Sequence, residues 1–563
     1  MKRTLLAFLT LVVATSAAFT APAAPQPTQG GKPSLVVLLV VDQMRRDYLD
    51  LYGARWSKGF RRLYDEGAWF PNAAYPYSTT LTCAGHATIA TGALPRTHGV
   101  ISNQWWDRAS QQLVSCTSDR SAREVPYGDR QAGSGGSASS LKAPTLASAI
   151  ASATGGRVVS ISLKRAAAAM LAGTGRGDAV LWFQGGGWSS STAWASKPER
   201  AMLRAATRAP IESDFGRIWA RRHGGGHYEF EDDGLGEKPS PEWTTVFPHA
   251  LQPRDGRPTL FFYEAWQSSP YSDGHLERLA LAAIDDMKLG RDSGIDVLAV
   301  SFSALDVVGH DFGPRSHEIQ DVLFRLDETF DRLLDRLDRR VGRGRYVVAF
   351  TADHGVAVIP EQAARDGADA GRIRMNELIR VADETLAEPF GRGRWTATEA
   401  YSEFYFRGGV FDRILATPGL LGKVKDALAA QPGVARVYDR TEVPTLAESG
   451  DALARAVAAG FFPERSGDLI VVPKPNWIFV ADDKTVIPGN ATTHGTGYAY
   501  DTDVPLVIFG AGVKPGRYEG AASPADIAPT LAHIAGVALP SATGRVLAEA
   551  LATAPATEAA GPR

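Results

Sequence analysis

The stretch that decides the fold is Tyr346-Val347-Val348-Ala349-Phe350-Thr351-Ala352-Asp353-His354-Gly355. Its opening residues are apolar and rich in valine, as in a buried parallel strand. An aspartate and a histidine follow directly, before a glycine that lets the chain turn. Open α/β sheets build their ligand sites at the carboxyl ends of such strands. Because carboxylates and imidazoles are zinc ligands, Asp353 and His354 are predicted to bind one metal ion or one each of two.

Other apolar runs have the same character, and helical patterns lie between them. The clearest helix is predicted at His317–Arg340, where leucine and phenylalanine recur every three or four residues. This alternation predicts an α/β fold, a mostly parallel sheet with helices on both faces. Residues of about 197–292 and 360–476 break the alternation and are predicted to be α+β insertions that cap the carboxyl edge of the sheet. The other predicted strands are Leu35–Val41, Val158–Ser162, Ala179–Phe183, Ile295–Ser301 and Pro505–Phe509.

Composition excludes some classes of function. The chain has 563 residues, of which 44% are hydrophobic and 22% charged, and its formal net charge is -2. These values are typical of a globular protein, and no basic stripe indicates nucleic-acid binding. The two cysteines, Cys83 and Cys116, are permitted to form a disulfide in an exported protein, but the sequence leaves the pairing open.

The two ends of the chain differ from the rest. Residues 1–24 show the three-part pattern of a secretory signal peptide, with cleavage after Ala18, Ala21 or Ala24. Its apolar run is short for a membrane span, and no later stretch is apolar enough for a transmembrane span in the mature chain. A periplasmic or secreted protein is therefore expected. Residues 34–548 are predicted to form the catalytic domain, and 549–563, rich in alanine, threonine and proline, a disordered tail.

Further polar residues lie where predicted strands end or the chain turns. Taken singly, each has an ordinary explanation as a helix cap, a turn residue or a surface histidine. Their order along the chain is harder to obtain by chance, because it provides enough carboxylate and imidazole groups for two metal ions. These residues are Asp42, Thr82, Asn103, Asp306, His310 and His494, in addition to Asp353 and His354.

With these motifs the chain resembles the alkaline phosphatase superfamily over about residues 34–548. Within it, the similarity is greatest to phosphate-insensitive bacterial alkaline phosphatases and to nucleotide pyrophosphatase/phosphodiesterases. The resemblance implies an alkaline phosphatase-like fold and two Zn²⁺ ions. It implies that Asp306, His310 and His494 bind one ion, and that Asp42, Asp353 and His354 bind the other, which also touches the Thr82 oxygen.

The same resemblance implies that Thr82 is the nucleophile. A metal ion lowers the pKa of the attacking hydroxyl, and the product is a phosphothreonine that water then hydrolyses. Asn103 and Lys164 are implied to contact the phosphoryl group of small-molecule phosphate esters. The monoesterases carry Lys-x-Arg, but this chain reads Lys164-Arg165-Ala166. Either Arg165 substitutes for the family arginine in binding substrate, or that guanidinium is missing.

Three functions remain open at this point. The leading prediction is an exported, metal-dependent alkaline phosphatase that hydrolyses phosphate monoesters. The first alternative is a phosphodiesterase or nucleotide pyrophosphatase on the same site, which Ala166 favours and Lys164 does not. The remote alternative is a non-catalytic protein that binds metal or phosphate esters, and it would be expected to lack a ligand or the nucleophile. The oligomeric state is left open, with a monomer as one option.

Overall fold

The first strand, β1 (Leu35–Val41), shows how the sheet is buried on both faces. A computed structural model describes residues 32–240, 242–252, 256–480 and 490–552. Side chains alternate across a strand. Leu35, Val37, Leu39 and Val41 therefore enter one hydrophobic core. Val36, Leu38 and Val40 enter a second core on the other face. A strand with two apolar faces must be central, with helices on both sides.

The remaining elements follow in chain order. The other strands are β2 (Ala68–Trp69), β3 (Gln104–Asp107), β4 (Gln112–Ser115), β5 (Glu124–Pro126), β6 (Val158–Ser162), β7 (Ala179–Gln184), β8 (Gly187–Ser191), β9 (Ile218–Trp219), β10 (His249–Ala250), β11 (Asp296–Phe302), β12 (Tyr346–Thr351), β13 (Gly371–Arg374), β14 (Thr396–Ala400), β15 (Glu403–Phe406), β16 (Val434–Asp439), β17 (Leu469–Pro473), β18 (Trp477–Val480), β19 (Leu506–Gly510) and β20 (Gly516–Arg517). The α-helices are α1 (Tyr48–Tyr52), α2 (Gly59–Glu66), α3 (Thr82–Thr91), α4 (Pro95–His98), α5 (Leu146–Thr154), α6 (Arg165–Ala172), α7 (Arg200–Arg208), α8 (Leu260–Gln267), α9 (Pro270–Asp286), α10 (Ala304–Phe312), α11 (His317–Arg340), α12 (Pro360–Arg365), α13 (Met375–Phe390), α14 (Val410–Ala416), α15 (Leu420–Ala429), α16 (Ala452–Gly460), α17 (Ala499–Thr502) and α18 (Ile527–Ala535).

The main sheet has ten strands in the order β20-β2-β19-β12-β1-β11-β6-β7-β8-β5. Its centre, from β12 to β7, is parallel. β19 joins antiparallel to β12. The mostly parallel α/β sheet is therefore confirmed. The six strands predicted from apolar runs all belong to this sheet, with ends within one residue of those predicted.

Helix α11 was predicted with both of its ends correct. It starts after Ser316, whose hydroxyl accepts the backbone N–H of Ile319 at 3.2 Å. Arg339 and Arg340 lie in its last turn, where cations favour the helix dipole. With α2 and α9 it covers one face of the sheet, while α5, α6 and α18 cover the other.

The two predicted insertions differ in character. Residues 360–476 include a separate four-stranded sheet, β14-β15-β17-β16, with a hydrophobic core of its own. The first range, about 197–292, was drawn too wide. It includes α9, whose buried side chains Leu276, Leu279 and Ala283 pack in the main core. This helix belongs to the layer that covers the sheet.

The fold also continues beyond the predicted end of the domain. Leu551 forms a bridge with Val513, and the backbone N–H of Ala552 donates to Gly512 O at 3.0 Å. Residues 549–552 are therefore not part of a disordered tail, because their backbone pairs with the chain after β19. The rest of that tail, 553–563, and the signal peptide, 1–24, lie outside the described residues. Among the described helices, none is long and apolar enough to cross a membrane.

Candidate active site

Three aspartates meet at the carboxyl edge of the three central strands. Asp42 follows β1, Asp306 lies in the first turn of α10 after β11, and Asp353 follows β12. Because β12, β1 and β11 are parallel neighbours, their carboxyl ends deliver these side chains to one place. All three are at most 3% exposed. Three buried carboxylates side by side are stable only where cations lie nearby or where a carboxylate takes up a proton.

The first donor group is Asp306, His310 and His494. One ligand atom from each of these residues lies within 4.8 Å of the other two. Asp306 and His310 are one turn apart on α10, which puts them on the same face. His310 Nε2 lies 3.4 Å from Asp306 Oδ1, and His494 Nε2 lies 3.7 Å from the same oxygen. The structure therefore brings together the first set of ligands predicted from the sequence.

The second donor group shares one residue with the first. Ligand atoms of Asp42, Asp306 and His354 lie within 4.8 Å of one another. The sequence analysis placed Asp353 here, rather than Asp306. Asp353 nevertheless lies close, because its Oδ2 is 3.2 Å from His354 Nε2. His354 Nε2 is also 3.5 Å from Asp42 Oδ1. Asp306 therefore belongs to two adjacent groups of potential metal donors.

All three histidines present the same nitrogen to the carboxylates. In each ring Nδ1 faces a backbone carbonyl oxygen, which fixes the proton there and leaves Nε2 as the metal-ligating atom. The distances are 2.9 Å from His310 to Thr492, 2.8 Å from His494 to Thr80 and 3.0 Å from His354 to Gly355. This orientation is set by the protein alone and is the one that metal-binding histidines adopt.

The charges in this cluster are strongly coupled. Burial, reinforced by the carboxylates of Asp306 and Asp353, holds the pKa of Asp42 well above its ordinary value. Burial also lowers the pKa of His494 well below its ordinary value, and His354 and His310 lower it further. A neutral imidazole is the form that binds a metal ion. The crowded carboxylates favour a dication for the same electrostatic reason.

Unpartnered buried atoms test whether a metal ion fits this site. Among the described residues, Oδ1 of Asp42 and Nε2 of His354 have no hydrogen-bond partner. Oδ2 of Asp42 and Oδ2 of Asp353 also accept no well-aligned hydrogen bond, although they form ion-pair contacts with Lys164 and His86. Buried polar atoms are normally paired, because leaving one unpaired costs about 1–3 kcal/mol. Carboxylate oxygens and imidazole nitrogens are hard-to-borderline donors suited to zinc. The residues present therefore fit a metal centre.

Thr82 is the first residue of α3, and Asp353, which follows β12, packs against this helix. A Cβ on Gly85 would lie 2.2 Å from the carbonyl oxygen of Asp353, so only glycine permits the contact. His86 strengthens it, with Nδ1 2.8 Å from Thr82 O and 3.2 Å from Asp353 Oδ2. His86 Nε2 faces Ser301 Oγ at 2.8 Å. The threonine therefore starts a helix anchored on a predicted metal ligand, and His86 braces it.

Asn103 lies beside the nucleophile candidate. Its Oδ1 accepts the backbone N–H of Cys83, the residue after Thr82, at 2.9 Å. Cys83 and Cys116 form a disulfide with a Cα–Cα distance of 6.5 Å. The pairing that the sequence left open is thus present.

Lys164 points into the cluster of carboxylates. Its Nζ lies 2.7 Å from Asp42 Oδ2 and 2.5 Å from Asp306 Oδ2. Burial lowers the pKa of Lys164, but Asp306 and Asp42 outweigh it and raise that pKa above its ordinary value. The ammonium group is therefore charged and touches both donor groups.

Arg165 does not enter this cluster. Its Cδ and Nε lie against Gly136, where a Cβ would be 2.9 Å and 3.2 Å from them. Burial lowers its pKa, against the opposing charge of Glu124. Ala166 instead packs in the apolar cluster that contains Cys83 and Cys116. Position 166, where the resemblance predicts an arginine, thus packs in an apolar cluster, and Arg165 lies against the loop that contains Gly136.

Gln43 is a site residue that the sequence analysis missed. Its Nε2 donates to Asp306 Oδ1 at 2.8 Å, and its backbone N–H donates to Asp353 Oδ1 at 3.1 Å. Its φ of 67° is left-handed, which is rare outside glycine. A Cβ on Gly309 would lie 1.8 Å from Gln43 Oε1, so that glycine makes room for it. No periodicity or spacing marks such a residue, because its role depends on an unusual backbone turn.

Comparison with known proteins identifies the family. The model for type I phosphodiesterase / nucleotide pyrophosphatase matches residues 36–498, so the chain belongs to that family. It is therefore a phosphoric ester hydrolase of the alkaline phosphatase superfamily, and the non-catalytic alternative is set aside.

Individual relatives extend along the whole fold. A protein of Myroides odoratus named calcium-transporting ATPase is 31% identical, over 91% of this chain and 93% of its own length. Alkaline phosphatase PhoV of Synechococcus elongatus is 30% identical, over 93% of this chain and 94% of its own length. The crystal structure of alkaline phosphatase PafA superposes with a TM-score of 0.83 at 27% identity, covering 93% of this chain and 99% of that one.

Proposed function

We propose that this protein is a metal-dependent alkaline phosphatase that hydrolyses small-molecule phosphate monoesters through a phosphothreonine at Thr82. The observation that carries the proposal is the meeting of two metal-donor groups at the buried sheet edge against which the nucleophile helix α3 packs. The proposed ligands are Asp306, His310 and His494 for one zinc ion, and Asp42, Asp353 and His354 for the other.

Thr82 supplies the nucleophilic oxygen in this proposal. Bound zinc lowers the pKa of a coordinated hydroxyl and stabilises charge on the oxygens of an in-line displacement. The Oγ atom of Thr82 attacks phosphorus, the alcohol leaves, and water hydrolyses the phosphothreonine. As the first residue of the ten-residue helix α3, Thr82 lies at the positive end of the helix dipole. That end attracts the anionic phosphoryl group.

Lys164 and Asn103 are proposed to bind the phosphoryl group. Lys164 spans Asp42 and Asp306, so its charge lies between the two donor groups. Asn103 faces the start of α3 and retains a side-chain NH₂ as donor. In one solved variant of PafA, a threonine, an asparagine, a lysine and an arginine are substituted together. This chain keeps Thr82, Asn103 and Lys164 of such a set, which supports their grouping here.

A phosphodiesterase is the second candidate, and one observation favours it. Ala166 packs in an apolar cluster, and Arg165 lies against Gly136. A dianionic monoester would therefore lack the bidentate partner that an arginine provides, whereas a monoanionic diester needs it less.

The deciding experiment compares kcat/KM of the zinc-loaded mature protein on an aryl phosphate monoester and on its matching diester. A monoester preference of several orders of magnitude supports the phosphatase. Comparable rates, or a diester preference, would replace it by the phosphodiesterase. The Thr82→Ala variant is the control, and near-wild-type turnover with metals bound would refute the nucleophile assignment.

We also infer that the protein acts in the periplasm or outside the cell. The signal pattern of residues 1–24 supports export. The Cys83–Cys116 disulfide supports it independently, because disulfides persist in oxidising compartments. Fractionation of cells that produce the full chain tests this. Retention of the active protein in the cytoplasm with its signal intact would contradict export.

A further inference from the structure

Asn103 is held by both halves of the disulfide. The backbone N–H of Cys83 donates to Asn103 Oδ1 at 2.9 Å. The backbone N–H of Cys116 donates to Asn103 O, also at 2.9 Å. The two cysteines are joined to each other, so the asparagine, the first turn of α3 and the end of β4 form one closed unit. A shift of either cysteine must therefore move one hydrogen bond of Asn103.

This arrangement fixes which way the side-chain amide points. A backbone N–H only donates, so the amide atom that faces Cys83 is the oxygen. The amide group is planar, so its NH₂ points away from Cys83. Asn103 itself is exposed, whereas Cys83 and Cys116 are each 1% exposed. The disulfide is thus the buried anchor of an exposed donor next to the nucleophile.

The surroundings of the disulfide are apolar. Cys83 and Cys116 lie in an apolar cluster that includes Ala166 and Met170. The alanine side chain at position 166 carries no polar atom. Hydrogen bonds that position a reacting group can each change a rate by large factors, because a small displacement weakens the contact in the transition state.

We propose that the Cys83–Cys116 disulfide is a positioning element for Asn103, which it holds so that the side-chain NH₂ meets the phosphoryl group at Thr82. This inference rests on the proposed function and adds a link between the disulfide and turnover. The disulfide touches no substrate and acts through Asn103 alone. Its removal should therefore lower kcat/KM without loss of bound metal.

A double-mutant cycle tests this link. The four proteins are wild type, Asn103→Ala, Cys83→Ala/Cys116→Ala and the triple variant, all zinc-loaded and assayed on one aryl monoester. In wild type, removal of the disulfide should lower kcat/KM about tenfold or more. In the Asn103→Ala background the same removal should cost less than about twofold. Equal losses in both backgrounds would show a general structural role and overturn the proposal, as would no loss in either.

Two further measurements keep the test decisive. If the cysteine variant does not fold, as judged by melting and metal content, the wild type and Asn103→Ala are instead reduced with a phosphine and their free thiols counted. The Asn103→Asp variant keeps the oxygen that accepts from Cys83 but lacks the NH₂. It should lose at least as much activity as Asn103→Ala, because its carboxylate also repels the phosphoryl group, and wild-type activity in it would refute the donor role.

The failure of this inference can be told apart from failure of the proposed function. Affinity for inorganic phosphate can be measured by calorimetry on the same four proteins. Removal of the disulfide should lower this affinity in wild type and have little effect in the Asn103→Ala background. If wild type hydrolyses no phosphate ester, the proposed function fails, and phosphate affinity alone decides the positioning role. If wild type is active but the cycle shows no coupling, only the positioning role fails.

Discussion

Replacing Lys164 by methionine should reduce hydrolysis of a phosphate monoester far more than hydrolysis of the matching diester. Methionine has nearly the length of lysine but no charge, so the change removes the ammonium group and keeps most of the packing. Nζ lies 2.7 Å from Asp42 Oδ2 and 2.5 Å from Asp306 Oδ2, inside the cluster of proposed metal ligands. A phosphoryl group placed between these donors meets that charge directly.

The size of the effect follows from the charge difference between the substrates. A monoester dianion carries about one more negative charge on its phosphoryl oxygens than a diester. One charge pair at 4 Å is worth about 1 kcal/mol in water and about 4 kcal/mol at an effective dielectric constant of about 20. The Lys164 side chain is 25% exposed, which favours an intermediate value of about 2 kcal/mol. The monoester should therefore lose roughly thirtyfold more than the diester.

The assay is kcat/KM of both zinc-loaded proteins on the two aryl substrates at low ionic strength, with metal content measured in parallel. Metal content separates the loss of a phosphoryl contact from the loss of a metal ion. Equal losses on monoester and diester, at full metal occupancy, would refute the assignment of Lys164 to the phosphoryl group.

Other perturbations test separate parts of the account. In Gln43→Asn the asparagine tolerates the left-handed backbone, but its side chain is too short to donate to Asp306 as glutamine does. Zinc affinity, measured by a competition titration, should therefore fall about tenfold to hundredfold. Unchanged affinity would show that Gln43 does not support the metal site. Ala166→Arg should raise the monoester-to-diester ratio about tenfold or more, since it restores a guanidinium; a ratio that stays constant would mean that position 166 does not face the phosphoryl group. Burial raises the pKa of Glu237 from 4.5 to about 9. The folded state therefore favours the protonated carboxyl group, and the resulting gain in the free energy of unfolding is complete below pH 4.5 and is lost as the pH rises towards 9. The melting temperature of wild type relative to Glu237→Gln should therefore fall between about pH 5 and pH 9, and a constant difference would contradict this pKa.

The sequence predicted the parts of the molecule that depend on local pattern. β12 and α11 have the predicted ends because valine-rich runs and a strict helical period leave few other structures. The convergence of Asp42, Asp306 and Asp353 was also predictable, since the carboxyl ends of parallel strands meet at one edge.

Features that depend on tertiary geometry could not be predicted in this way. Gln43 was missed because its contacts arise from a left-handed turn and from space left by Gly309. The pairing of Cys83 with Cys116 could not be decided from the sequence, because only the folded chain brings the two cysteines together. α9 was assigned to an insertion, although its apolar face packs in the main core, because irregular sequence precedes it. The position of the Arg165 side chain could not be predicted, because it is set by contact with the loop that contains Gly136.

The most direct test of the central claim is to trap the covalent intermediate. The zinc-loaded protein is mixed rapidly with an aryl phosphate monoester, quenched in acid and digested, and its peptides are examined by mass spectrometry. The account predicts a phosphoryl group on Thr82, at a level that rises before the steady state and is absent from Thr82→Ala. An active enzyme that carries the phosphoryl group on another residue, or on none at any time before the steady state, would contradict the proposed mechanism.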